Sequence, residues 1–307
     1  MKKTLPFLLL FCFGIAEFAA AQSFYNIRRN RNFMVNAGSG IANYKGEMVN
    51  PGDMGFAKPN ITVGAEYFVY PRISARAQLT WFVMKGDDSK ADDDRWQRNL
   101  SFTSSSWELS TIGIVNLIPQ GGRYYERPRI NLHGFAGIGL LYFNPKTVLD
   151  GEKYALQPMQ TEGVKYSRFQ PVIPVGLGAR IHVNPFFNIL IEGGYRFTFT
   201  DYLDDVSKRR YPSLDELGIT SYDDIRFRLS DRRYEIGTEP GSPLPDPDEL
   251  ARTSRGVRGN PGENDGYFIL NISLQYYLPM EIFGNSQRKL YTIKRKPYNS
   301  PPARRRR

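Results

Sequence analysis

The chain has 307 residues, with 41 Lys plus Arg against 31 Asp plus Glu and a formal charge of +10. It holds 19 Tyr and 20 Phe but two His and a single cysteine, Cys12, a balance that suits aromatic girdles at a membrane interface better than a catalytic centre. From Gly284 onward there are nine basic residues and no acidic one, while the segment between the leader and this tail is neutral. The excess charge is therefore a tail and not a nucleic-acid-binding face.

Taken in chain order, Lys2 and Lys3 precede an apolar run at 5–16 and the small residues Ala19, Ala20 and Ala21. That order predicts a secretory leader over 1–21, cleaved before Gln22. Cleavage takes Cys12 with it and so excludes disulfides, thiolate metal sites and a Cys nucleophile from the mature chain. No other stretch offers the roughly 20 apolar residues of a spanning helix, so a mature chain that enters a bilayer must do so as a closed barrel.

Apolar and polar residues alternate at 33–44, 60–70, 72–84, 103–117, 129–143, 168–183, 185–199 and 267–278, which predicts eight strands. The pattern is cleanest at 168–199. Phe169, Pro171, Ile173, Val175 and Leu177 share one face with Arg180 and His182 on the other, and after Asn184-Pro185 the alternation restarts with Ile189, Ile191 and Tyr195 against Asn188, Glu192 and Arg196. The connections alternate in length, with Pro71 and Asn184 as tight turns and long intervals at 45–59, 85–102, 144–167 and 200–266. Short turns on one side, long loops on the other and both termini on the short-turn side describe an outer-membrane barrel. The expected fold is all-β: an eight-stranded antiparallel transmembrane β-barrel with long surface loops, spanning 22–279, with a long loop at 200–266 and a basic periplasmic tail at 280–307. The intervals at 33–44 and 72–84 place Asn36, Gly38, Gly40, Ser74, Arg76, Gln78 and Thr80 inward. A soluble calycin-like barrel would show the same alternation with its faces reversed.

Six charged residues fall on the predicted lumen face: Glu66, Arg76, Glu108, Arg180, Glu192 and Arg196. They are three of each sign, costly against lipid and able to neutralise one another inside a narrow barrel that has no room left for a pore. His133 and His182 are placed near the short-turn rim, as structural lumen residues and not as a hydrolase pair. The acidic groups Asp87, Asp88 and Asp92–Asp94, and Asp201 with Asp204 and Asp205, lack the spaced ligands and glycine of a calcium loop, so they read as solvated loop charge or as holding an ion bridged to anionic lipopolysaccharide. Residues 237–262 have too few core formers to order themselves, and 214–225 has the makings of a short helix. Arg288, Lys289, Lys294, Arg295, Lys296, Arg304, Arg305, Arg306 and Arg307 are candidates for electrostatic contact with a periplasmic partner, a solvated tail being the alternative. No catalytic, cofactor-binding or metal-ligating set is expected.

The segments Ala37-Gly38-Ser39-Gly40-Ile41-Ala42-Asn43-Tyr44-Lys45-Gly46-Glu47, Arg98-Asn99-Leu100-Ser101-Phe102, Trp107-Glu108-Leu109-Ser110 and Thr198-Phe199-Thr200-Asp201-Tyr202-Leu203-Asp204-Asp205-Val206-Ser207 resemble the PorG-like family of outer-membrane barrels, over most of 33–278. The resemblance implies a non-catalytic barrel of the type IX secretion system, embedded in outer-membrane lipid and associated with a periplasmic ring formed by a lipoprotein and its partner protein. The long last loop and the basic tail are not features of that pattern. A barrel whose long loops bind an extracellular ligand or a neighbouring outer-membrane protein is the alternative.

Overall fold

Two strands far apart in sequence close the molecule. In the computed structural model, which describes residues 31–50, 52–91, 94–121, 124–236, 246 and 257–278, β1 (Phe33–Lys45) pairs antiparallel with β10 (Gly266–Tyr277), in register from Met34 opposite Tyr277 to Lys45 opposite Gly266. Around the cylinder follow β2 (Lys58–Phe68), β3 (Ile73–Asp87), β4 (Ser101–Asn116), β5 (Ile130–Tyr142), β8 (Phe169–His182) and β9 (Phe187–Thr198). Every neighbouring pair is antiparallel, and β3 pairs with β4, so no edge is left open. The fold is a closed eight-stranded antiparallel β-barrel. A two-stranded ribbon, β6 (Pro145–Leu149) and β7 (Glu152–Ala155), grows from the loop between β5 and β8 and hydrogen-bonds to the end of β4.

The tight turns have local causes. At 184–187 the Asn184 Oδ1 accepts from the backbone N–H of both Phe186 and Phe187 at 2.9 Å, while Pro185 fixes φ. At the β2–β3 turn the Val69 N–H reaches the Ile73 carbonyl at 3.0 Å. Both turns, the β4–β5 connection and the two ends of the barrel segment lie at one rim; the four long connections lie at the other.

The faces follow the alternation. Ile138 and Leu177 point outward at 72% and 74% exposure, in a belt with Ile61, Leu109, Val115, Leu132 and Ile272. Inward lie Asn36, Thr62, Ser74, Arg76, Thr80, Ser106, Asn188 and Gln275, all buried. Glu192 and Arg196 also face inward. A barrel made for water carries the opposite distribution, so the calycin-like alternative is inconsistent with this chain. β4 and β5 are harder to read from sequence because Ser and Thr occupy both faces of β4, and Ile112, Ile114 and Phe135 turn inward as a small apolar cluster.

Candidate functional site

The lumen is filled in layers. At the short-turn rim Met34, Phe68 and Tyr277 form a buried apolar collar, with the Arg127 guanidinium 3.7 Å from the Tyr277 ring centroid and Arg31 over Phe186 at 4.7 Å.

Above the collar, four of the six expected charges meet in one network. Glu66 Oε2 accepts from Arg76 Nη2 at 2.9 Å, and its Oε1 accepts from Arg180 Nη2 at 2.6 Å. Ser74 Oγ at 2.6 Å and Gln275 Nε2 at 2.8 Å complete the shell around this carboxylate. Arg76 turns its remaining donors to Glu192, at 2.6 and 2.9 Å, in a two-point contact. Glu192 Oε1 also lies 2.7 Å from His133 Nε2. Arg180 is completed by Asn116 and Gln120 at 3.3 and 3.2 Å and lies over the Phe68 ring. Two carboxylates and two guanidiniums, each hydrogen-bonded on several sides, form an arrangement that tolerates burial.

Glu108 and Arg196 stand apart, nearer the loops. Arg196 Nε is 3.4 Å from Glu108 Oε2, which also accepts from the Tyr267 hydroxyl at 2.8 Å. Between the two networks a void of about 10 Å³, lined by Gln78, Glu192, Arg196 and Asn271, has room for about one water. The lumen is plugged by its own side chains. His133, Ser74, Gln275, Asn116 and Gln120 belong to the network alongside Glu66, Arg76, Arg180 and Glu192. Alternation placed most of them inward, but which partner each would choose depends on neighbours distant in sequence. His182 sits at the short-turn rim, as the spacing predicts, with Nδ1 2.7 Å from Asn188 Oδ1.

The loop end has its own core. Tyr44, Met48, Phe56, Phe82, Phe102, Phe143, Leu149, Leu156, Leu203, Val206 and Leu229 are buried together, bringing all four long loops into one cap over the barrel mouth. The long loop supplies helices α2 (Leu214–Leu217) and α3 (Ile225–Ser230), α1 being the single turn Leu156–Met159 of the preceding loop. The one helix expected over 214–225 is broken, because Gly218 takes a left-handed φ of 65° and ends α2. Ser213 and Glu216 form a capping box at its start, and Asp224 caps α3. Most of 237–262 falls outside the described residues.

The acidic groups of the loops are a correction to the sequence reading. Asp204 and Asp205 are buried, not solvated: Asp204 accepts from the Tyr44 hydroxyl at 2.8 Å, and Asp205 accepts from the Tyr166 hydroxyl at 2.6 Å and from Thr161. Asp265 takes a second contact from Tyr44 at 2.5 Å. Asp88 is likewise buried, held by Arg98 at 2.6 and 2.7 Å, and Glu162 pairs with buried Arg258. Burial pushes Asp201 and Glu47 up to about 7 and Asp205 up to about 6. Asp204 and Asp265 are raised by burial and, secondarily, by acidic neighbours, Glu47 for Asp204 and Asp204 for Asp265. Among the described residues no cluster of three or more His, Asp or Glu side chains converges as an ion site. The leader at 1–21 and the tail residues from Arg288 to Arg307 lie outside the described residues.

No protein-family profile matches the chain, and no curated protein is similar to it in sequence. Among solved structures, the chain is similar to the Neisserial surface protein A, NspA (10% identity, TM-score 0.39, covering 80% of this chain and 97% of that one). It is also similar to the outer membrane protein OprG from Pseudomonas aeruginosa (9% identity, TM-score 0.38, 82% and 97%). A third is Ail, the attachment invasion locus protein of Yersinia pestis, in complex with the heparin analogue sucrose octasulfate (8% identity, TM-score 0.35, 80% and 99%).

Proposed function

We propose that this chain is an outer-membrane barrel serving as a non-catalytic scaffold of the type IX secretion machinery, with its short-turn rim and basic tail toward a periplasmic ring of a lipoprotein and its partner. The observation that carries the reading is the plug: ion pairs and an apolar collar fill the lumen, which favours an anchor over a conduit for cargo. The outward apolar belt favours lipid as its surroundings. The secretion role rests on the resemblance, whose most specific run, Thr200–Asp205, lies in the elbow that carries the long loop back into the cap, with Leu203 and Asp204 fully buried.

Solubilised barrel is expected to copurify with the ring lipoprotein, and removal of the gene is expected to block export of cargo. A variant lacking 280–307 tests the tail separately, with weakened ring association expected. Normal export without the gene, together with no ring protein in the pull-down, overturns the proposal.

The folded cap favours a second reading, in which the loops present a binding surface. A recess of about 310 Å³ between Tyr211, Leu214, Tyr222 and Phe227 is one feature of that surface. Under that reading, trimming the long loop removes the phenotype while export stays intact.

A further inference from the structure

Trp81 and Trp107 stand directly opposite each other on the outward face of β3 and β4. Trp107 is exposed, and the Trp81 indole donates to Ser105 Oγ at 2.9 Å, two residues nearer the loops. An indole pair with its N–H turned toward hydroxyls marks the level where hydrocarbon gives way to headgroups.

Immediately above that level the surface changes character. Lys85 lies opposite Thr103, and Thr103 lies opposite Lys146 of the β6–β7 ribbon. With neighbouring strands about 4.8 Å apart, the row sets two ammonium stems on either side of a hydroxyl, roughly 10 Å from each other. In the next row Lys153 stands opposite Val148, with Ser101 beside them. These residues, with the carboxylate of Asp87 among them, line a groove of about 340 Å³. Lys85 has one acidic neighbour, Asp87 at 3.4 Å. Lys146 and Lys153 are exposed and make no ion pair among the described residues. Lys85 is four residues beyond Trp81, about 13 Å along the strand and about 10 Å in height at a tilt of 35–45°. A lysine stem bends back several ångströms, which brings the Lys85 and Lys146 amines into a headgroup layer roughly 5–8 Å deep, with Lys153 one row, about 5 Å, higher at its outer edge.

We propose that this shelf binds the phosphate of a phosphate-bearing lipid headgroup in the leaflet on the loop side, with Lys85, Lys146 and Lys153 neutralising it and Thr103 donating to its oxygens. The site is distinct from the plugged lumen and opens sideways above the tryptophans, where a lipid arrives and its acyl chains can run down the apolar belt. It rests on the membrane part of the proposed function and not on the secretion role.

The test uses the full mature chain folded into phosphatidylcholine nanodiscs and offered three probes: bisphosphorylated lipid A, the same lipid dephosphorylated, and soluble glucosamine 1-phosphate. Bound probe is counted by native mass spectrometry. Retention of the phosphorylated lipid alone is expected, falling about 100-fold in the Lys85→Gln, Lys146→Gln, Lys153→Gln triple variant and about fivefold in Lys146→Gln alone. The matching triple Lys→Arg variant keeps it. Equal retention of the dephosphorylated lipid, or retention unchanged by the Gln substitutions, overturns the proposal. Binding of glucosamine 1-phosphate as tight as that of the lipid assigns the groove to free anions and overturns the lipid assignment. A wild-type chain that fails to enter nanodiscs at all overturns the membrane reading beneath it, an outcome distinct from insertion without retention.

Discussion

Arg76 is the hinge of the lumen network, and removing it leaves the Glu192 carboxylate without a guanidinium partner among the described residues. The Arg76→Met variant loses the guanidinium contacts at 2.6 and 2.9 Å to Glu192 and at 2.9 and 3.2 Å to Glu66. Glu66 keeps Arg180, Ser74 and Gln275, whereas Glu192 keeps only His133. Two buried carboxylates then share one buried guanidinium, and breaking such a pair from one side costs about 3–5 kcal/mol. Substituting both Arg76→Met and Glu192→Gln restores charge balance, leaving the Glu66–Arg180 pair whole. The expected cost of the double variant is about 1–2 kcal/mol, so adding the second substitution recovers about 2–3 kcal/mol relative to Arg76→Met alone. Equilibrium urea unfolding in phosphatidylcholine vesicles, followed by the fluorescence of Trp81 and Trp107, reads both variants. An Arg76→Met variant within about 1 kcal/mol of wild type, or a double variant no more stable than Arg76→Met alone, refutes this network.

Three further outcomes follow from the cap and the strands. The carboxyls of Asp201, Glu47 and Asp205 are raised in the folded chain to about 7, 7 and 6 by burial, so the folded cap holds more protons than the unfolded one. Its stability is fullest below the ordinary carboxyl range near pH 4 and declines as pH rises through about 6 to 7. The thermal midpoint of the cap's near-ultraviolet dichroism is expected to fall across that window, and a rise contradicts the assignment. Leu203→Ala removes a fully buried side chain of the cap core and is expected to cost about 2–5 kcal/mol in that same cap transition, leaving urea unfolding of the barrel in place. At Gly176 a Cβ would lie 2.4 Å from the Gly193 carbonyl and 2.5 Å from Phe135 Cζ, so Gly176→Val is expected to abolish heat-resistant compact migration in gels. Gly193→Ala, which meets only the Phe268 and Leu270 side chains, at 3.2 Å and beyond, keeps that migration.

The barrel was legible because its information is local. A period of two assigns each residue of β3, β8, β9 and β10 to a face without knowledge of its neighbours, and it placed all six lumen charges inward. Partner choice was not local: that Arg76 bridges Glu66 and Glu192, while Glu108 and Arg196 sit one layer away, depends on the placement of strands as much as 116 residues apart. The cap was misread for a related reason. Asp204 and Asp205 look like solvated loop charge until Tyr44, Thr161 and Tyr166 arrive from other connections to receive them. The only trace of this in the sequence was the Thr198–Ser207 run, which the family resemblance marked without giving its reason. The first part of the long loop orders itself on a handful of apolar residues, Leu203, Val206, Leu217, Phe227 and Leu229, all buried, with Leu203, Val206 and Leu229 in the core that the other loops complete.

The central claim is that the outward belt faces acyl chains while the charges are sealed within. Nitroxide labels at Ile138, Leu177 and Ile272, each introduced singly on a Cys12→Ser background in lipid vesicles, test it through collision with oxygen, which concentrates in hydrocarbon, against a water-soluble nickel chelate. Oxygen is predicted to dominate at all three positions. Dominance of the nickel chelate at those positions contradicts the account.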